Sequence, residues 1–328
     1  MTNGSSLVTM NAKHCGVEAT PGLTHRVVHV HGGPVSVYEA GSPDRQSVVL
    51  LHEAMCDEAR FIWDQLFPVL AEEFRVVALD TPRHGRSRPW TGPLGRERLV
   101  RILHGTLDEA GLARTAIVGL SMGGGLAIEF AARYPQRVTC AVLFEPGGLA
   151  DRLDRQLLTW LYIKTPGLSR IIGRWYATKT RAGLRDTLDS LYVGGAKPTD
   201  PERLLDILHD EIEGKRRYSE RDLDDWQIEA IGPRRTWTLL NDIPRLACPT
   251  LWLRGADSAV VKQDEMERAL SLATQGKQPA GVARRHPRRR SSPAAGAPGR
   301  GRGRGAPLPP GARGGWTTRA APRVTTRQ

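Results

Sequence analysis

Apolar residues along this chain come in short runs, and the spacing between the runs changes character near residue 46. Before that point, residues 25–31 (HRVVHVH) and 35–40 (VSVYEA) are two short strand-like runs. They are joined by Gly32-Gly33-Pro34, which predicts a hairpin. Beyond it, continuous apolar runs alternate with stretches of helical periodicity. SVVLLH (47–52), FRVVALD (74–80), TAIVGL (115–120), VTCAVLFE (138–145) and PTLWLRG (249–255) have the length and composition of buried strands. Between them, residues 57–73, 96–110, 122–134 and 263–273 carry apolar positions at helical spacing, with Pro68 set to kink or shorten the first. Strand, helix and strand in this rhythm predict an α/β fold with a mostly parallel central sheet flanked by helices. From Pro146 to about Pro244 the strands stop, and polar-apolar helices rich in Trp, Tyr, Arg and Leu take over, the pattern of a helical lid insertion. After Thr274 the apolar periodicity ends.

The candidate chemistry sits where the third parallel strand gives way to a helix, in VGLSMGGG (118–125). A G-x-S-x-G sequence between an apolar strand and a helix is a nucleophile elbow. The sharp turn crowds backbone atoms, so Gly119 and Gly123 are the small residues it requires on either side of Ser121. The Met122 N–H, at the helix start, points where an oxyanion would form. A serine hydroxyl is a weak nucleophile until a positioned base takes its proton, so an elbow alone is incomplete.

Together with that elbow, three further blocks resemble the α/β-hydrolase family, over roughly His25 to Leu272. VVLLHEA is similar to the strand that ends in the family's oxyanion turn. VVALDTPRHGRSRP carries the Asp and xHGxS loop, at Asp80, His84, Gly85 and Ser87. LWLRGAD is similar to the strand whose exit loop bears the acid of a catalytic triad. The resemblance implies a helical lid, no metal and no organic cofactor. A serine nucleophile implies an esterase, lactonase, C–C bond hydrolase or cofactor-free haloperoxidase, rather than the branches that place Asp there. It makes Ala54 the second oxyanion donor, although His52-Glu53-Ala54 stands where the family has His-Gly, and glycine bends there more freely. His31-Gly32-Gly33 imitates another oxyanion motif but precedes the wrong strand, and reads as a hairpin turn. For the acid, Asp257 lies two residues beyond Gly255; Glu145, at the end of the preceding strand, is the alternative, and the third possibility is that neither orients a base.

The family's base is a histidine after the last strand, and downstream of Asp257 this chain has only His286, in VARRHPRRRSS. No apolar strand precedes it, which makes His286 a weak candidate. His52 and His84 fall near the site without occupying the base's position. His14, His25, His29, His31, His104 and His209 read as surface or structural.

Charge sharpens this picture. The net charge of +12 would suggest nucleic acid or an acidic membrane surface, but thirteen Lys or Arg and no Asp or Glu fall in residues 277–328, which leaves 1–276 at −1. The tail is dominated by Arg, Ala, Gly and Pro, residues with GC-rich codons. That suggests a shifted reading frame beginning near 275–283, with the final strand, helix and catalytic histidine missing. Two other readings stand beside it: an arginine-glycine segment that contacts RNA, with Trp316 as its one aromatic, and a plain solvated tail. The four cysteines are scattered without metal-ligand spacing, as in a reduced cytosolic protein. There is no signal-peptide pattern and no apolar run of spanning length, so the expected address is cytoplasmic, without membrane contact.

The expected organisation is a loose leader (1–22), a hydrolase domain (23–276, with core 23–145 and 245–276 and a lid over about 146–244) and a basic disordered tail (277–328). The expected function is hydrolysis of ester-like bonds in a small, largely apolar substrate through an acyl-enzyme, impaired if the base is lost. Trp160, Tyr162, Trp175 and Tyr176 of the lid are candidate pocket walls. The alternatives are a catalytically inactive binding protein on the same fold and a haloperoxidase-like enzyme. Nucleic acid enters only through the tail, and the oligomeric state is open.

Overall fold

The computed structural model describes residues 17–165, 167–168, 180–191, 200–221, 223–255, 258, 260–275 and 283–286. Strands β1 (Thr24–Val30) and β2 (Gly33–Ala40) form the expected hairpin. Its turn is His31-Gly32, both at positive φ (48° and 91°), so Gly33 already belongs to β2. This is the two-residue turn whose backbone twist suits a hairpin, and it disposes of 31–33 as an oxyanion motif.

The parallel part of the sheet comprises β3 (Ser47–Leu51), β4 (Arg75–Asp80), β5 (Thr115–Leu120), β6 (Val138–Phe144) and β7 (Thr250–Gly255). A short β8 (Ala283–His286) pairs parallel with β7. The strand order is β1-β2-β4-β3-β5-β6-β7-β8. The chain steps from β3 to β4 on one side and then returns to place β5 on the other. Ligands in open α/β sheets bind at such a reversal, beyond the carboxyl ends of the strands. Here it sets the exits of β3 and β5 side by side, with Leu51 opposite Gly119.

Helices cover both faces. On one lie α1 (Ala59–Ile62) and α2 (Leu66–Ala71), packed through Trp63 and Phe67 against Tyr38, Leu50 and Val76. The helix expected over 57–73 breaks at Trp63–Gln65. Pro68 therefore falls in the first turn of α2, where its missing N–H removes no hydrogen bond. On the other face lie α3 (Arg96–Glu109), α4 (Met122–Arg133) and α9 (Gln263–Gln275), around Val49, Leu51, Ile117 and Trp252.

Between β6 and β7 the chain forms α5 (Gln156–Lys164), α6 (Arg181–Leu191), α7 (Pro201–Arg217) and α8 (Asp225–Ala230). Helices α6 and α7 share an apolar cluster of Leu184, Leu188, Leu204, Leu205, Leu208 and Ile212. This cluster is separate from the two that sandwich the sheet, and Cys56 and Phe61 pack against it.

Two boundaries differ from the sequence expectation. The leader is not loose up to residue 22: Val17 is wholly buried in the α1/α2 cluster, and Glu18 pairs with Arg60 at 3.2 Å and Arg86 at 3.0 Å. At the edge where a missing final strand was expected, four residues of backbone, 283–286, continue the sheet. The rest of 277–328, including any helix after that strand, lies outside the described residues. Among the described residues no helix is long and apolar enough to cross a membrane.

Candidate active site

Ser121 adopts φ 49°, ψ −112° between β5 and α4, a conformation an L-residue holds only when its surroundings impose it. Several backbone bonds do so. Ser121 N–H donates to Phe144 O (2.9 Å), Gly123 N–H to His52 O (3.1 Å), and Gly125 and Gly147 N–H both donate to Ser121 O (2.9 and 2.7 Å). The flanking glycines are required sterically. A Cβ on Gly119 would collide with Gly123 O and Gly124 N, and one on Gly123 with Leu51 O and His52 O. The elbow is therefore pressed against the exit of β3. Met122, 2% exposed, opens α4, and its N–H finds no acceptor among the described residues.

The loop after β3 faces this turn. Glu53 N–H donates to Asp57 Oδ2 at 3.1 Å and Met55 N–H to Asp224 Oδ2 at 2.9 Å. The left-handed residue in this loop is Met55 (φ 73°), not Glu53, so the loop bends two residues after the position where glycine was expected to matter. The intervening Ala54 N–H has no acceptor among the described residues.

Neither nearby histidine is available as a base. His52 is fully buried; its Nδ1–H donates to Glu53 O (2.6 Å), and its Nε2 accepts from Thr81 N–H (2.9 Å). Burial, and then the adjacent His84 ring, push its pKa well below the usual histidine value. His84 is 1% exposed, with Nδ1 on Asp57 O (2.8 Å) and Nε2 on Asp224 Oδ1 (3.1 Å). Both rings are committed to holding loops together.

The acid side of the site is only partly described. Glu145 directly follows β6 at φ 42°, is 7% exposed, and accepts from Gly255 N–H on Oε1 (2.7 Å) and from Ser258 Oγ on Oε2 (2.9 Å). It thereby ties down both ends of the loop that contains Asp257. Asp257 itself lies outside the described residues. The β8 register sets the His286 backbone opposite Gly255, at the carboxyl edge of the sheet. Among the described residues no side chain hydrogen-bonds the Ser121 hydroxyl.

Sequence reasoning missed the residues between β6 and β7 that reach this edge. Asp224 reaches the β3 loop, and Trp226 lies against Gly147, which itself bonds Ser121 O. Asp225 accepts from Arg83 Nη1 (2.7 Å) and Leu94 N–H (2.8 Å). A helix-start signal was present in Asp224-Asp225-Trp226-Gln227, where the Gln227 side chain accepts from Asp224 N–H at 3.0 Å. Nothing in the sequence, however, announced the loop it docks on. Of the proposed pocket walls, Trp160 and Tyr162 are half-buried on α5, while Trp175 and Tyr176 lie outside the described residues. Beside Met122, a cavity of about 10 Å³ lies between Thr81, Arg83, Leu94, Asp224 and Asp225. That is room for about one water. No cluster of side chains suited to a metal ion occurs among the described residues.

The sequence profile of the alpha/beta hydrolase fold family matches residues 27–278, most of the chain, including Ser121 and the β3 and β7 exits but not His286. The chain belongs to this family. Among curated proteins, this alpha/beta hydrolase is 38% identical over 121 residues to a protein of Mycobacterium phage D29 provisionally named a non-heme haloperoxidase, a match covering 37% of this chain and 41% of that one. It is 27% identical over 198 residues to a 2-hydroxy-6-oxononadienedioate/2-hydroxy-6-oxononatrienedioate hydrolase of Cupriavidus pinatubonensis, covering 60% of this chain and 64% of the relative. These matches span less than two thirds of each relative's length. Among solved structures, a serine hydrolase involved in carbazole degradation aligns with TM-score 0.63 at 22% identity, over 82% of this chain and 92% of that one. The naproxen esterase of Bacillus subtilis aligns with TM-score 0.59 at 19% identity, over 82% and 85%. At these identities the structural likeness carries the fold.

Proposed function

We propose that this alpha/beta hydrolase is a serine hydrolase that cleaves ester-like bonds (carboxylic ester, lactone or C–C) of a small, largely apolar substrate through an acyl-enzyme. The observation that carries the reading is the strained Ser121 at the sheet's reversal point, flanked by two backbone N–H groups without acceptors among the described residues. In this mechanism Ser121 Oγ attacks the substrate carbonyl carbon, and the Met122 and Ala54 N–H groups hold the resulting oxyanion. A base takes the serine proton and delivers it to the leaving group, and water then releases the acyl group with the proton transfers reversed. Asp257 is the proposed acid on its place in the β7 exit loop. Glu145 is the alternative, favoured by its burial and its bonds to that same exit. His286 is the candidate base, supported by the strand register that sets it opposite Gly255. The apolar substrate class rests on the aromatic side chains between β6 and β7, Trp160 and Tyr162 with Trp226 beside Gly147.

The test is hydrolysis of p-nitrophenyl esters of graded chain length, with fluorophosphonate labelling, by the chain and by its Ser121→Ala and His286→Ala variants. Ser121→Ala should abolish both signals. With His286 as base, His286→Ala should cost on the order of 10³-fold or more in kcat. A rate unchanged by that substitution would mean that the chain runs without a base, at the residual level that oxyanion donors and binding alone sustain. A Ser121→Ala variant as active as its parent would refute the assignment altogether.

A further inference from the structure

The three consecutive N–H groups of the β3 exit loop are treated unequally. Those of Glu53 and Met55 are each held by a carboxylate, Asp57 Oδ2 at 3.1 Å and Asp224 Oδ2 at 2.9 Å, and that of Ala54, between them, is left without an acceptor among the described residues. The two carboxylates have different origins. Asp57 belongs to the same loop, so its hold is local. Asp224 comes from the lid, 169 residues away in sequence, and its other oxygen is bound to His84 Nε2 at 3.1 Å. Met55 sits at φ 73°, a conformation that β-carbon sterics disfavour, so its peptide needs an external tie to stay in place. The Ala54 N–H belongs to the Glu53–Ala54 peptide, and the ties on Glu53 N–H before it and Met55 N–H after it bracket that peptide, so losing the Met55 tie frees one side of it.

We infer that Asp224 is a positioning residue for the oxyanion hole: by holding Met55 N–H it fixes the loop so that Ala54 N–H faces the elbow. This rests on the serine-hydrolase reading above. Because Asp224 opens α8, the hole is complete only while the lid is seated. Substrate-driven seating of the lid would then assemble the second donor as it excludes water. The anchor itself is firmly built. The Asp224 side chain is 13% exposed, Lys215 Nζ lies 3.9 Å from Oδ1, and the Asp224 N–H is capped by Gln227. Burial opposes its ionisation, but the charges of His84 and then Lys215, with the bonds from His84 and Met55, hold the carboxyl well below the usual carboxylate range.

The experiment compares full-length Asp224→Ala, Asp224→Asn and Glu220→Gln. Asn keeps one oxygen for Met55 N–H and can donate to His84. Glu220 is a buried lid carboxylate bound to Arg88 Nε at 2.9 Å that does not touch the β3 loop, so its substitution controls for general loosening of the lid. Asp224→Ala should lower kcat on p-nitrophenyl acetate by about 30- to 100-fold with KM changed less than about threefold, as expected when a transition-state donor is misplaced. Asp224→Asn should recover kcat to within about fivefold of the parent, and Glu220→Gln to within about twofold. Hydrogen exchange at the Met55 amide should accelerate at least tenfold in Asp224→Ala and remain slow in the other two. Equal losses of kcat in Asp224→Ala and Glu220→Gln, or a Met55 amide still protected in Asp224→Ala, would overturn the inference. Failure of the serine-hydrolase reading shows separately, as a Ser121→Ala variant that retains the parent's rate.

Discussion

Gly123 has a hydrogen where another residue would press a carbon into Leu51 O and His52 O, and Gly119 meets the α4 backbone in the same way. Substituting alanine at Gly123 must therefore separate β3 from the elbow, which would displace both the β3 exit loop and Ser121. We expect Gly123→Ala to lose roughly 2–3 kcal/mol of stability by urea denaturation and to abolish fluorophosphonate labelling. A variant that labels like its parent would show that the elbow tolerates a wider turn. The departure from the family's His-Gly turn is explained at the same scale. Glu53 is accommodated because Met55 supplies the left-handed bend, while the retained His52 is fixed in one tautomer because Thr81 N–H needs its Nε2.

At the scale of elements, the helices between β6 and β7 are tied to the loop after β4 by a buried arginine. Arg88, in the loop after β4, donates to Glu211 of α7 (2.7 Å) and to Glu220 (2.9 Å), and also to the carbonyls of Gly85 and Arg83 (both 2.6 Å). Its side chain is 4% exposed, so removing it leaves two buried carboxylates without their partner. Arg88→Ala should cost about 3–5 kcal/mol, whereas Arg181→Ala, which breaks exposed pairs with Glu202 and Asp206, should cost under about 1 kcal/mol. Thermal and urea unfolding of the two variants would check the contrast. Near-equal losses would mean that the buried latch holds no more than a surface pair.

At the scale of the whole molecule, the sheet's carboxyl edge gathers acids whose titration sets how stability varies with pH. Glu58 is raised to about 8 by burial and then by Asp80, against the opposing charge of Arg60, and burial raises Asp57 and Asp80 as well. A carboxyl with a raised folded pKa keeps its proton when the unfolded chain has released it. Stability therefore falls as pH rises from about 4.5, the unfolded value, to about 8. Asp224 acts in the opposite sense and lower down: its contribution is full above about pH 4 and is lost as pH falls toward its depressed value. Urea midpoints measured at about pH 5, 6.5 and 8 should decline for the parent and decline less for Glu58→Gln. Parallel slopes would remove Glu58 from the explanation.

What the sequence determined by itself is whatever depends on near neighbours in the chain. The apolar runs gave the strands, because a strand buried on both faces must be apolar throughout. The glycines around Ser121 gave the elbow, because a turn that tight is a local steric problem. Boundaries were legible to within a few residues, as with α4 and β6. The tertiary structure alone decided the rest. Val17 belongs to the core because it packs into the cluster that holds Tyr38, Trp63 and Phe67, not because its neighbours in sequence are apolar. A four-residue strand with two arginines, Ala283–His286, pairs at the edge because backbone hydrogen bonds do not require apolar side chains. Met55 is held by Asp224 across 169 residues of intervening chain, and His84 by the same carboxylate across 140. No periodicity encodes such a pairing, because it arises only when two loops from distant parts of the chain meet over the end of a sheet.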